Sequence, residues 1–224
     1  MSTVTAKILV TGFEPFGGMA VNPTQQMVEG LGERTLPGVE LHTAVLPVEY
    51  DECLRVVLAE IDRLEPDAVI ACGLAAGRTA VTPERIAVNV KDTASDQSIA
   101  DNAGRRPEDE RISDGPDGIF STLPIRAIQQ ALVSAGIPSS ISNTAGTYIC
   151  NNTMYGILDH LRRRESPVLA GFIHFPASTE MAAADPRLAS LPLETMERAL
   201  LIAVETVAEY VGSLSDDLAG SSGL

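Results

Sequence analysis

The chain has 224 residues, 30 acidic and 16 basic, for a formal net charge of -14; 45% are hydrophobic, only 4% aromatic, and there are three histidines, three cysteines and no tryptophan. That length and hydrophobic content fit one folded domain with an aliphatic core and exclude a disordered polymer. The acidity excludes a nucleic-acid partner, because phosphate binding draws on clustered Lys and Arg, and the one basic run is Arg162-Arg163-Arg164.

An odd number of cysteines at 53, 72 and 150, with no CxxC spacing, argues against a disulfide framework or a zinc ribbon and for a reducing, cytoplasmic location. The N-terminus has no basic region leading into a long apolar core, and no apolar run approaches the roughly 18 residues of a membrane span.

In chain order, Ile8-Leu9-Val10 reads as a buried strand ending at Thr11-Gly12, followed by the loop Phe13-Glu14-Pro15-Phe16-Gly17-Gly18. Asn22-Pro23 has the form of an N-cap with proline at the first helical position, opening a helix to about Gly30. Val39–Leu46 is a second strand. Cys53, Leu54, Val57, Leu58, Ile61 and Leu64 recur at three- and four-residue steps, which predicts an amphipathic helix over 50–64. Ala68–Gly73 is a third strand and Arg85–Val90 a fourth. The stretch from Lys91 to Phe120 lacks an apolar period and reads as a long loop. A helix from about Pro124 to Ala135, a short strand over Ser139–Ser142, a turn at Gly146 and a helix from about Cys150 to Leu161 come next. A strand over Val168–Ile173 and a helix from Leu193 to Val211 complete the pattern, and 213–224 is expected to be a flexible tail. Alternating strands and helices predict an α/β domain over 1–212 with a mostly parallel sheet.

Ligands of open parallel sheets bind beyond the carboxyl ends of the strands, and this sorts the chemistry-bearing residues. His174 ends a strand, whereas His42 sits toward the opposite rim and His160 near the far end of a helix. Cys53 belongs to an apolar helix stripe, and Cys72 is embedded in apolar residues that would make it inert. Cys150 lies at a helix start, where the macrodipole favours a thiolate and backbone N–H groups can hold an oxyanion. His160, ten residues along the same helix, is roughly 15 Å away and cannot serve it. A right-handed connection can return His174 to the rim where the Cys150 helix begins, so Cys150 and His174 form the expected pair. For a third group orienting the imidazole, Glu84 and Asp92 are both positional candidates. Phe13 and Phe16, three residues apart at a strand end, offer an apolar wall for a small uncharged ring.

The segment from Ile141 to Tyr155, with Gly146-Thr147-Tyr148-Ile149-Cys150-Asn151-Asn152 at its centre, resembles the nucleophile motif of the type I pyroglutamyl peptidases. Gly73–Asn89, containing Gly77-Arg78 and Glu84, is similar to that family's glutamate motif. The opening Thr11–Gly18 with Asn22-Pro23, and Gly171-Phe172-Ile173-His174-Phe175-Pro176, resemble its other two signatures. The resemblance covers residues 7 to about 212 and implies a single-domain three-layer α/β/α sandwich with a mostly parallel twisted sheet. It further implies a cytoplasmic cysteine peptidase that removes N-terminal pyroglutamyl residues from peptides, with no metal or organic cofactor, assembled as a homotetramer. Carried over by position, Cys150 is the nucleophile, His174 the general base and acid, and Glu84 the carboxylate that orients it. Phe13, Phe16 and Tyr148 surround the pyrrolidone ring with Asn22 nearby. One departure follows Asn89, where relatives often carry an arginine and this chain has added residues with Ser98 at that place.

The chemistry agrees: a pyroglutamyl residue has a lactam in place of a charged amine, so its pocket needs aromatic walls and a few hydrogen bonds rather than a carboxylate. Two other readings stay open on sequence. A non-catalytic binder would leave Cys150 no more reactive than Cys53. A different acyl-transfer or nucleoside-processing enzyme of the same architecture would release no amine from pyroglutamyl substrates.

Overall fold

The structure is a computed structural model and describes residues 5–93 and 99–221, with side chains as far as Asp216. The elements in chain order are β1 (Ala6–Phe13), α1 (Pro23–Gly32), β2 (Val39–Leu46), α2 (Tyr50–Leu64), β3 (Ala68–Leu74), β4 (Thr82–Pro83), β5 (Ile86–Val88), β6 (Gly118–Phe120), α3 (Ile125–Ser134), α4 (Ile149–Arg163), β7 (Leu169–Phe175), β8 (Ala177–Ser178), α5 (Thr179–Ala184), β9 (Ser190–Leu191) and α6 (Leu193–Ser221). The main sheet runs β2-β1-β3-β7-β4; its first four strands are parallel and β4 is antiparallel to β7.

Strands buried on both faces need apolar residues in every position, and β3 shows this: each residue from Ala68 to Leu74 is buried. Alternate residues then serve two cores. Ile8, Val10, Ile70, Cys72, Ile173 and Phe175 pack under α1, α3 and α6. Leu9, Val69, Ala71, Ala170 and Phe172 pack under α2 and α4. The result is the expected three-layer α/β/α sandwich.

Three expected elements differ from the structure. The predicted fourth strand shrinks to Ile86–Val88 and pairs with β6 in a separate antiparallel ribbon, because β4 already covers the edge of β7. The Ser139–Ser142 segment makes only isolated bridges, Val81 with Ser139 and Glu84 with Ser142. The last helix runs on from Val211 to Ser221, so helical backbone continues where a tail was predicted. The Lys91–Phe120 loop holds β6 and an isolated Lys91–Glu110 bridge, while Ser98 lies outside the described residues.

Candidate active site

The carboxyl ends of β1, β3 and β7 open onto a cavity of about 570 Å³ lined by Phe13, Phe16, Asn22, Arg78, Tyr148, Cys150 and His174, among others. His174 is paired with Gly73 across the β3–β7 ladder, and side-chain alternation turns it to the α2/α4 face with Phe172. Phe172 and His174 rings meet at 4.8 Å. A Cβ at Gly73 would stand 2.8 Å from Cys150 Sγ and 2.7 Å from Phe172 Cζ. Glycine at this position therefore lets the first turn of α4 lower its sulfur onto the sheet, one strand from His174. The local sequence allows that approach. Gly146, at φ +76°, takes the left-handed turn before α4 that glycine adopts without steric cost. Tyr148 at the N-cap gives no side-chain hydrogen bond to the first turn, in contrast with Asn22 on α1, so the N–H groups beside Cys150 receive no side-chain cap.

Of the two candidates Glu84 and Asp92, Glu84 is hydrogen-bonded to His174. Its fully buried carboxylate accepts a hydrogen bond from His174 Nδ1 at 2.7 Å through Oε1, and its backbone N–H donates to Phe172 O at 2.9 Å. Asp92 lines the cavity, and its backbone carbonyl accepts from Thr147 Oγ1. His42 pairs with Glu40 and His160 with Asp62, both away from the cavity. Cys53 and Cys72 are fully buried, and burial raises both thiols, Cys53 to about 11.

The electrostatics correct one expectation. Position at the helix start predicts a thiolate, yet burial, reinforced by the Glu84 charge, pushes the Cys150 thiol up to about 12. Burial also lowers His174, against the pull of Glu84. Desolvation thus opposes both charged forms, the Cys150 thiolate and the His174 imidazolium.

The aromatic wall is built from side chains that hold one another. Phe16 and Tyr148 rings lie 6.1 Å apart, Tyr148 meets Tyr50 edge-on at 5.7 Å, and Phe13 lies 6.4 Å from Phe172. Tyr148 donates its hydroxyl to Ala100 O at 3.1 Å, and burial raises its phenol to about 12. Asn22 is largely committed to structure: Oδ1 accepts from Thr24 N and Thr24 Oγ1, and Nδ2 donates to Glu14 O. Asn22 thus shapes the pocket floor chiefly by fixing the start of α1.

The family model described as pyroglutamyl peptidase matches residues 6–210. The chain belongs to the pyroglutamyl peptidase family. A pyrrolidone-carboxylate peptidase of Photorhabdus laumondii is 44% identical over 214 residues, covering 93% of this chain and 96% of that protein. The Erwinia tasmaniensis pyrrolidone-carboxylate peptidase is 45% identical over 199 residues, 88% of this chain and 91% of its own length. Among solved structures, pyroglutamyl peptidase I from Bacillus amyloliquefaciens superposes with a TM-score of 0.86 at 36% identity, covering 91% of this chain and 95% of that one. The pyrrolidone carboxyl peptidase from Thermococcus litoralis gives 0.87 at 36% identity, covering 95% and 96%.

Two residues of this pyroglutamyl peptidase family member were not singled out by sequence reasoning. Gly73 had a signal, a glycine at the end of an apolar strand facing a ligand rim. Arg78 stood inside a quoted motif without a role. Its Nη1 donates to Glu84 Oε1 at 2.5 Å and to Thr82 Oγ1, and its Nη2 donates to Thr144 O at 3.0 Å.

Proposed function

We propose that the chain removes N-terminal pyroglutamyl residues from peptides by acyl transfer through a thioester on Cys150. The observation that carries this reading is the Glu84–His174 hydrogen bond of 2.7 Å opening on the same aromatic-walled cavity as Cys150 at the start of α4. The ring of the substrate would rest against Phe13, Phe16 and Tyr148, whose apolar faces suit a neutral lactam.

In this mechanism attack begins from a neutral thiol and a neutral imidazole, the forms that burial favours. His174 takes the Cys150 proton as Sγ bonds to the pyroglutamyl carbonyl carbon, and N–H groups at the start of α4 hold the oxyanion. Glu84 stabilises the imidazolium that forms. The imidazolium then protonates the leaving amine as the C–N bond breaks, leaving the thioester. Water, deprotonated by the same imidazole, attacks that thioester; pyroglutamate departs and the thiol regains its proton.

Rapid quenching with a pyroglutamyl amide, followed by mass spectrometry, tests the covalent step. A pyroglutamyl adduct on the Cys150 peptide supports it, and an adduct-free enzyme that turns over, or a Cys150→Ser variant at the wild-type rate, contradicts it. A cytoplasmic homotetramer belongs to the same reading, supported by the family resemblance; light scattering checks the mass. Among the described residues, no helix is long and apolar enough to cross a membrane.

A further inference from the structure

We infer that Arg78 is a positioning residue of the reaction, a two-pronged clamp that sets the Glu84 carboxylate against His174 and ties it to the loop delivering Cys150. This inference rests on Cys150, His174 and Glu84 acting as proposed above.

A fully buried carboxylate is shielded from bulk solvent, so its orientation depends on the groups around it. Glu84 Oε1 receives two donors, His174 Nδ1 at 2.7 Å and Arg78 Nη1 at 2.5 Å. The arginine therefore fixes the same oxygen that orients the imidazole. The other prong reaches across: Nη2 donates to Thr144 O at 3.0 Å. Thr144 is part of a locally braced turn, with Ser142 Oγ donating to Thr144 O and Gly146 N donating to Thr144 Oγ1. From there the chain passes through Tyr148 into α4 and Cys150. One planar guanidinium thus spans the segment just after β4 that carries the orienting carboxylate and the turn that precedes the nucleophile. An ammonium has no fork that makes both contacts in fixed geometry.

Arg78 also brings charge. Its side chain is 26% exposed at the cavity wall, and it is the only Lys or Arg among the described lining residues. Glu84 and Arg78 act on His174, and Glu84, Cys53, Arg78 and Tyr148 on Cys150, while Asp92 is a further charged group lining the same cavity. Opposing Glu84, the guanidinium disfavours the imidazolium and helps keep His174 ready to accept a proton.

Steady-state kinetics of the full chain on a pyroglutamyl amide across pH test this role, with Arg78→Met and Arg78→Lys compared with wild type and Cys150→Ala. In Arg78→Met, kcat should fall about 10- to 100-fold, the scale of a lost charged hydrogen bond, with KM within about threefold. Removing the cation lets His174 keep its proton to higher pH, so the acid limb of kcat/KM should move to higher pH. Arg78→Lys should hold the acid limb near wild type while recovering only part of kcat. Wild-type kcat in Arg78→Met overturns the inference, as does an unshifted acid limb with equal losses in both variants, the pattern of a merely structural arginine. Should Arg78→Met fail to fold, wild-type kcat in Arg78→Lys overturns it alone. Wild type releasing no amine, or Cys150→Ala retaining activity, instead overturns the reading of the site and the inference with it.

Discussion

At Gly73 the central sheet makes room for the sulfur, and a single methyl group tests how tightly that room is set. Alanine there would put Cβ 2.8 Å from Cys150 Sγ and 2.7 Å from a Phe172 ring carbon, so one of them must move. Gly73→Ala should lower kcat by about 100-fold through misplacement of the nucleophile and destabilise the fold by about 1–3 kcal/mol through overpacking. Kinetics and urea unfolding measure the two effects separately. A second residue-scale expectation concerns His174, which burial holds below its ordinary 6.5. In the proposed mechanism, which starts from neutral imidazole, the acid limb of kcat/KM should lie below pH 6.5; a limb above that value contradicts it. At this scale Cys150 and His174 were legible, since strand ends and helix starts can be placed from apolar patterns. Residue position left Glu84 and Asp92 equal, and only the family resemblance favoured Glu84. Gly73 meets Cys150, 77 positions away, and Arg78 joins nearby Glu84 to Thr144, 66 positions away, contacts that no local pattern displays.

The elements around the pocket act as braces. The 99–102 segment crosses the aromatic wall: Ala100 O accepts from Tyr148, Asn102 N donates to Val48 O, and Asn102 Nδ2 donates to Glu14 Oε1 at 2.7 Å and Pro15 O at 3.1 Å. Asn102→Ala frees this brace from the Phe13–Phe16 loop without touching the reacting groups. KM for a pyroglutamyl amide should rise about 3- to 10-fold with kcat nearly unchanged, as initial-rate measurements will show. Strands and helices with their own periodicity were readable, Val39–Leu46 and Tyr50–Leu64 to the residue. Ile86–Val88 and the Ser139–Ser142 segment were misread because their partners lie far along the chain, so sequence shows strand character but not the ladder. The extension of α6 past Val211 went unseen because Ser213 and Asp216 are exposed and add no apolar period, while backbone hydrogen bonding continues the helix without one.

Across the whole molecule, the net charge of -14 conceals a basic run that the fold neutralises. Arg162 and Arg163 both bind the buried Asp159 at 2.7 Å, and Arg164 pairs with Asp62, so the three arginines brace α4 rather than form a cationic patch. Asp159 Oδ2 also accepts from Ser113 Oγ at 2.8 Å, tying the long loop to the helix. Burial alone would raise the Asp159 carboxyl, but its bonds to Arg162, Arg163 and Ser113 hold it below 3.8. A carboxyl lowered in the folded state contributes stability above its unfolded pKa and loses it as pH falls through the folded value. Asp159→Ala should therefore cost about 1–3 kcal/mol at pH 7, measured by urea unfolding, and the gap to wild type should narrow toward pH 3.

In the proposed reaction a neutral lactam ring in an aromatic pocket presents its carbonyl to Cys150. Hydrolysis of matched chromogenic amides bearing pyroglutamyl, prolyl and glutamyl groups tests it most directly. Amine should be released from the pyroglutamyl amide, with release abolished in Cys150→Ser, and little or none from the prolyl and glutamyl amides, whose charged amines the apolar wall must desolvate. Equal turnover of all three, or none of the pyroglutamyl amide, contradicts it.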